Sequence, residues 1–387
     1  MTKKDIRSIN GNNASAEAMR QINPDVFGFY PITPTSYIGS VFSKYVADEI
    51  VDTEYVCAES EHAAMSICVG ASAAGGRAIA ATASQGLILM SEVLWNASGM
   101  RLPILLVNGN REVGAPLSIH CGHSDIMGVR DAGWIQLFAK NPQEAYDFTL
   151  CGFPIAEAKN VRTPIMMAMD CFHTTHTQMP VEILSDENSA KFVGETLQVN
   201  PLLDIENPVA YGNFDRPTYF MNHKKEQLEG LENAIEQTKK VFENFAGFSG
   251  RKYNVVEEIK TEDAEIIFVG LGSIIGTLEI TIKKLREKGI KAGIVNPRLF
   301  RPLPANELKN SFKSAKKIIV LDRVYPAGAK YSPLADAVFS VFENTENRPK
   351  IKNIIYGLGS HETPSNKLVE LAENFAELSD TPTWMCD

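Results

Sequence analysis

Glu61 opens a helix-forming run, SEHAAMSICVGASAAGG (60–76), and sits where a charge is costly. Counted along a helix, it shares a face with Ala64, Met65, Cys68, Val69 and Ser72, which is almost wholly apolar. Glu59 falls on a more mixed face with His62, Ala63, Ser66 and Ile67. A carboxyl drawn out of water must be paired or keep a proton, and then it has a proton to share. An acid in the first turn is also an ordinary helix opening, and this stretch by itself favours that plainer role. Arg111 follows the apolar run LPILLVN, within NGNREVGAP. Its fork suits a carboxylate or a phosphate; a salt bridge to Glu61 or another acid is the plain alternative. Thr33 lies in YPITPTS (30–36), where Pro31 and Pro34 forbid a helix and stiffen the turn, and Thr35 or Ser36 then caps the next helix. A polar loop after a strand suits a ligand, and a proline turn without function reads equally well. His120 and His123 stand three apart with Asp125 near, but no helical zinc spacing and no glutamate accompany them. They point to a polar loop beside a ligand rather than a metal. His62 bonds its own helix start, and His173 and His176, in CFHTTH, read as a solvated loop.

Strands must hold these loops. The sequence predicts strands at Asp25–Tyr30, Glu54–Ala58, Arg77–Ala83, Leu102–Asn108, Trp134–Ala139 and Pro164–Met169, with helices between them. The regular alternation, and the all-apolar LPILLVN and PIMMAM, predict a doubly wound parallel α/β domain. Residues 1–10 read as a polar arm. From Pro180 to about Gly250 the pattern breaks into an extended strap and a connecting helix, His223–Phe245. A second α/β unit starts near Arg251, with strands at Ala264–Gly270, Ala292–Asn296, Lys317–Asp322 and Ile351–Tyr356. The fold class is α/β with two doubly wound domains, residues 1–250 and 251–387. GLGSIIG (270–276) resembles a dinucleotide loop, but its third glycine comes one place late and no acid follows the next strand, which excludes a nucleotide there.

The 387 residues carry a net charge of −9, with 44% hydrophobic and 22% charged residues. That balance argues against nucleic acid or an anionic membrane as partner. No apolar run is long enough to span a bilayer, and MTKKDIRSING lacks a signal-peptide core, so a cytoplasmic location is expected. The six cysteines (57, 68, 121, 151, 171, 386) form no CxxC pair. This is not an iron–sulfur, zinc or redox-pair pattern; if electrons are handled, the clusters lie on another chain.

Several segments together resemble one family. YPITPTS (30–36), ESEHAAMSICVGASAAG (59–75), TASQGLILM (82–90), RLPILLVNGNRE (101–112) and GHSDIMGVRDAGWIQLFAKNPQEAYD (122–147) are similar, in order and spacing, to the alpha subunit of 2-oxoacid:ferredoxin oxidoreductases of the pyruvate synthase type. GRKY (250–253), AEIIFVGLGS (264–273), RLFRPLP (298–304) and VLDR (320–323) continue the likeness. The resemblance implies a thiamine-diphosphate enzyme whose first domain binds the aminopyrimidine, with Glu61 on the pyrimidine N1′ and Pro31 beside the cofactor. Thr33 and Arg111 would hold the 2-oxo acid. The second domain would be transketolase C-terminal-like and serve assembly.

The family's GDG…N motif for magnesium and diphosphate is absent here. The resemblance places it on a beta subunit, iron–sulfur clusters on beta and delta, and coenzyme A contacts largely on gamma. The implied reaction joins pyruvate, coenzyme A and ferredoxin; 2-oxoisovalerate is an alternative substrate, and a non-catalytic assembly subunit an alternative role. A stand-alone carboligase is disfavoured by the missing motif. GLGSHETP (357–364) departs from the family's GLGGRD, and the strap's NPVAYGNFDRP (207–217) from its His-Pro start.

Overall fold

The computed structural model describes residues 5–386. In the first part of the chain the strands are β1 (Asp5–Ile9), β2 (Val26–Phe29), β3 (Glu54–Cys57), β4 (Ala78–Thr82), β5 (Leu105–Asn110), β6 (Ile135–Ala139), β7 (Ile165–Asp170) and β8 (Met179–Ile183). The second part adds β9 (Val256–Ile259), β10 (Ile266–Val269), β11 (Ala292–Pro297), β12 (Leu299–Arg301), β13 (Lys317–Asp322), β14 (Lys350–Ile355) and β15 (Thr383–Trp384). The large sheet runs β12-β6-β7-β5-β4-β2-β3, and the smaller one β15-β14-β13-β10-β11-β9. Both are parallel except at one edge, where β12 lies antiparallel to β6 and β9 antiparallel to β11.

Strands β4 to β7 are buried along their whole length, as strands covered by helices on both faces must be. In the large sheet β2 pairs with β3 on one side and with β4 on the other, so the order reverses between β2 and β4. A crevice opens outside the carboxyl ends of strands at such a reversal. Helix Glu61–Ala73 lies directly on β2: a Cβ added at Gly28 would come within 2.5 Å of the Ala64 carbonyl oxygen.

Two expectations are corrected. Residues 5–9 are not a polar arm: β1 pairs antiparallel with β8, its register running Asp5 opposite Ile183 to Ile9 opposite Met179. The first four residues of that predicted arm lie outside the described ones. The strap holds more order than its broken pattern suggested, with β8, helix Asp186–Val193, and a connecting helix that extends over Pro217–Ser249. No helix among the described residues is long and apolar enough to cross a membrane.

The two parts are bolted together by buried charge. Arg298 is 5% exposed and bonds Glu144 of the first part at 2.8 Å and Glu257 of the second at 2.6 Å. Arg251 bonds the fully buried Asp147 at 2.7 Å, tying the end of the connecting helix to helix Pro142–Ala156.

Candidate functional site

Four loops meet at the carboxyl edge of the large sheet, after β2, β3, β4 and β5. Glu61 is the first residue of the helix after β3, and Ser60 caps that helix by accepting the Ala63 N–H at 3.2 Å. Ser60, not Glu61, therefore does the capping. Glu61 is 7% exposed, and its face buries Ala64, Met65, Cys68 and Ser72, as the helical count predicts. Its carboxyl makes no hydrogen bond or ion pair among the described residues. The loop after β4 presses on it: a Cβ at Gly86 would lie 2.6 Å from Glu61 Oε1 and 2.5 Å from Thr82 Oγ1. Thr82 Oγ1 is itself buried without a partner. A buried, unpaired carboxyl beside a second orphaned oxygen suits a hydrogen-bonding heterocycle that the chain does not itself provide. The residues present fit the aminopyrimidine half of thiamine diphosphate.

Thr33 and Arg111 are brought together. Arg111 Nη1 donates to the Thr33 carbonyl at 2.9 Å and Nε to the Ser118 carbonyl at 3.2 Å. No salt bridge to Glu61 forms, and Nη2 has no partner among the described residues. Asn12 Nδ2 holds the Pro34 carbonyl at 3.0 Å, while Gly109 lets the turn lie on β5, since a Cβ there would come within 2.6 Å of Pro34 Cγ. The Thr33 and Pro31 side chains are exposed. Thr35 makes no cap; its hydroxyl turns back to the Ile32 carbonyl at 3.1 Å.

Asp125, noted in the sequence only as a neighbour of two histidines, is the hub behind these loops. It is wholly buried and accepts from Ser84 N at 2.9 Å, Arg111 N at 3.1 Å, Ile126 N at 2.8 Å and Asn108 Nδ2 at 3.2 Å. It thereby pins the loop after β4 to the loop after β5. Ser84 has φ 54°, a costly left-handed conformation for a residue with a Cβ, and its N–H bond to Asp125 helps hold it there. Burial pushes the Asp125 carboxyl up to about 6, against the pull of these donors.

His123 does not face the crevice. Its Nε2 meets Asp170 Oδ1 at 2.9 Å, at the junction of the two parts. Asp170 Oδ2 also accepts from Arg323 Nη1 at 2.8 Å, Ser273 Oγ at 2.7 Å and Ser273 N at 2.9 Å. Burial alone would raise the Asp170 carboxyl, but the Arg323 charge and the His123 bond outweigh it and hold it far below the usual range. Cys121, His123 and Asp170 place ligand atoms within 4.8 Å of one another. Arg323 Nη1 already donates to Cys121 Sγ at 3.0 Å as well as to Asp170, so the guanidinium supplies the positive charge there. GLGSIIG belongs to the same clasp: Gly272, at φ +69°, leaves room for Asp170, which would lie 2.7 Å from a Cβ there. His120 packs beside Phe172, His62 pairs with Glu92 at 3.5 Å, and His176 bonds Thr175 at 2.8 Å. A carboxylate straight after the apolar MMAM was the signal for Asp170; nothing local marked Arg323 as its partner.

Residues 17–243 match the thiamine-diphosphate-binding domain of pyruvate flavodoxin/ferredoxin oxidoreductases, and 264–368 match the pyruvate:ferredoxin oxidoreductase core domain II. The pyruvate synthase subunit PorA of Thermotoga maritima is 44% identical over 92% of this chain and 90% of its own. The corresponding subunit of Pyrococcus furiosus is 40% identical over 94% and 91%. The ketoisovalerate oxidoreductase subunit VorA of Pyrococcus abyssi is 35% identical over 96% and 94%. Among solved structures, 2-oxoglutarate:ferredoxin oxidoreductase from Magnetococcus marinus superimposes with a TM-score of 0.73 at 18% identity, over 96% of this chain and 65% of that one. A split-gene transketolase in an inactive tetramer gives 0.58 at 13%, over 96% and 99%. Those two likenesses bear on the fold, and they agree with the expected pair of α/β domains. With a thiamine-diphosphate-binding domain over more than half its length and these relatives along nearly all of it, the chain belongs to the pyruvate:ferredoxin oxidoreductase family.

Proposed function

We propose that this chain is the alpha subunit of a pyruvate synthase. In that enzyme pyruvate, coenzyme A and oxidised ferredoxin give acetyl-CoA, carbon dioxide and reduced ferredoxin, or the reverse. The observation that carries the reading is Glu61, a carboxyl buried at a sheet reversal with no partner among the described residues. Bound thiamine diphosphate supplies the electron sink through which a 2-oxo acid exchanges carbon dioxide. Glu61 would bond the pyrimidine N1′ and pass a proton to and from it. Pro31 would lie beside the cofactor. Arg111, fixed by the Thr33 and Ser118 carbonyls, keeps Nη2 for the substrate carboxylate. Thr33 Oγ1, free of bonds within the described chain, donates to the same substrate. Asp125 touches neither; it positions the loops that do.

Magnesium, its ligands and the diphosphate site come from a beta subunit, the clusters lie on beta and delta subunits, and gamma contributes to coenzyme A binding. The chain carries no CxxC pair to hold a cluster itself. By kinship the assembly works in the cytoplasm. The 35% identity to a ketoisovalerate oxidoreductase subunit makes 2-oxoisovalerate the second substrate to test. Reduction of ferredoxin by the reconstituted complex, assayed with a panel of 2-oxo acids, should be fastest with pyruvate; a higher kcat/KM on a branched acid would replace it. Glu61→Gln keeps the shape but cannot share a proton, and should slow pyruvate-dependent reduction about 100-fold or more. Full activity in that variant would remove Glu61 from the mechanism.

A further inference from the structure

The smaller sheet has its own order reversal. Strand β10 pairs with β11 on one side and with β13 on the other, so a crevice is expected outside their carboxyl ends. A cleft of about 420 Å³ lies there. His173, Ser273, Thr277, Arg323, His361 and Thr363 give it its polar groups, and the exposed Glu362 stands at its rim. Ser273 comes from the loop after β10 and Arg323 from the loop after β13, the two strands that flank the reversal.

We propose that this cleft is an oxyanion site for the phosphoryl group of a small ligand, separate from the crevice at Glu61. Two features support it, apart from the start of helix Ile274–Glu287, whose positive end Asp170 already meets through Ser273 N and Oγ. Arg323 is 4% exposed, and only Nη1 is spent on Asp170, Cys121 and Ser273. Its Nε is buried without a partner, and Nη2 makes no hydrogen bond among the described residues. A buried guanidinium half satisfied by its own protein is costly unless something else accepts from it. Thr277 and Thr363 also line the same space: Thr277 Oγ1 has no partner among the described residues, while Thr363 Oγ1 donates to the His361 carbonyl at 3.3 Å. The unspent guanidinium edge of Arg323 and the Thr277 hydroxyl together suit an oxyanion. The volume exceeds what inorganic phosphate alone would fill, leaving room for the body of a phosphorylated metabolite.

The test uses the full chain and the reactivity of its histidines toward diethyl pyrocarbonate, mapped by mass spectrometry. About 10 mM inorganic phosphate, compared with sodium chloride at equal ionic strength, should slow modification of His173 and His361 severalfold. His62 and His223, remote from the cleft, should react at unchanged rates. AMP protecting at lower concentration than inorganic phosphate would identify a larger phosphorylated ligand, and equal protection the free anion; either outcome supports the site. Protection by acetate as strong as by phosphate, or slowing that is uniform over all four histidines, overturns it. Thr277→Val leaves the clasp at Asp170 intact and should weaken protection severalfold with an unchanged melting temperature. A Thr277→Val chain protected like the parent likewise overturns the assignment.

Discussion

Asp125 and Asp170 are both wholly buried, both lie at the carboxyl edge of the large sheet, and both gather several donors, yet they are built for opposite tasks. The donors to Asp125 are neutral: backbone N–H groups and an asparagine amide. Asp170 meets Arg323, His123 and Ser273. Neutral donors locate a carboxyl without balancing its charge, so burial wins and the group lies near 6. A guanidinium balances the charge, so Asp170 stays ionised far into acid. The first arrangement sets the loops at the Glu61 crevice; the second holds two domains together. They are joined through β5, where Asn108 Nδ2 donates to Asp125 and to Asn110 Oδ1, and Asn110 Nδ2 donates to Asp170. Two asparagines two apart on one strand share a face, which makes that relay possible.

The contrast is broken most severely by Asp170→Ala. It leaves Arg323 buried and unpaired, and should cost on the order of 3–5 kcal/mol, read as a fall in the urea midpoint. Acid sharpens it next. The folded pKa of Asp125 lies above the ordinary aspartate value of about 3.9, so the folded chain keeps a proton that the unfolded chain has lost. Its stabilisation is full below that value and is lost as pH rises through about 6. For Asp170 the sign is reversed: its stabilisation is present above the ordinary value and is lost only as pH falls well below it. Stability of the wild type minus that of Asp125→Asn should therefore fall by roughly 2 kcal/mol between about pH 4 and pH 6.5. A flat difference would show that Asp125 is ionised throughout.

Asp125→Asn also presents an amide to the Ser84 and Arg111 N–H groups, and should destabilise by about 1–3 kcal/mol. Because the loops that carry Arg111 and Gly86 then shift, kcat/KM should fall by up to about 100-fold in the reconstituted complex. Asp170 variants that still fold should lose far less activity than stability. The smallest effect is expected from Ser273→Ala, which removes one of the two bonds Ser273 makes to Asp170 and should cost about 0.5–1.5 kcal/mol by urea titration.

The two domains were legible because parallel strands buried on both faces leave uninterrupted apolar runs such as LPILLVN and PIMMAM. The Glu61 face was legible because helical spacing is local. Thr33 and Arg111 could each be singled out from a turn and a fork, but not their contact, which depends on β2 and β5 ending at the same edge. Asp125, Asp170 and Arg323 were harder, since their meaning lies in partners up to 202 positions away. β1 was missed because its residues are mostly exposed, and it is a strand by virtue of pairing with β8. The strap hid helix Asp186–Val193 among turn-forming residues, since only Ser189, Phe192 and Val193 of that helix are buried.

Strand β12 has a consequence for synthesis. Residues 299–301 complete the edge of a sheet whose other strands all come from the first 170 positions. While the ribosome is still making the intervening segment, β6 presents an unpaired, wholly buried-type edge to its surroundings. Such an edge is a template for pairing with a neighbouring nascent chain. Expression of the first domain without the second should therefore give aggregate rather than a smaller folded protein, and the two halves should be recovered best when made as one chain.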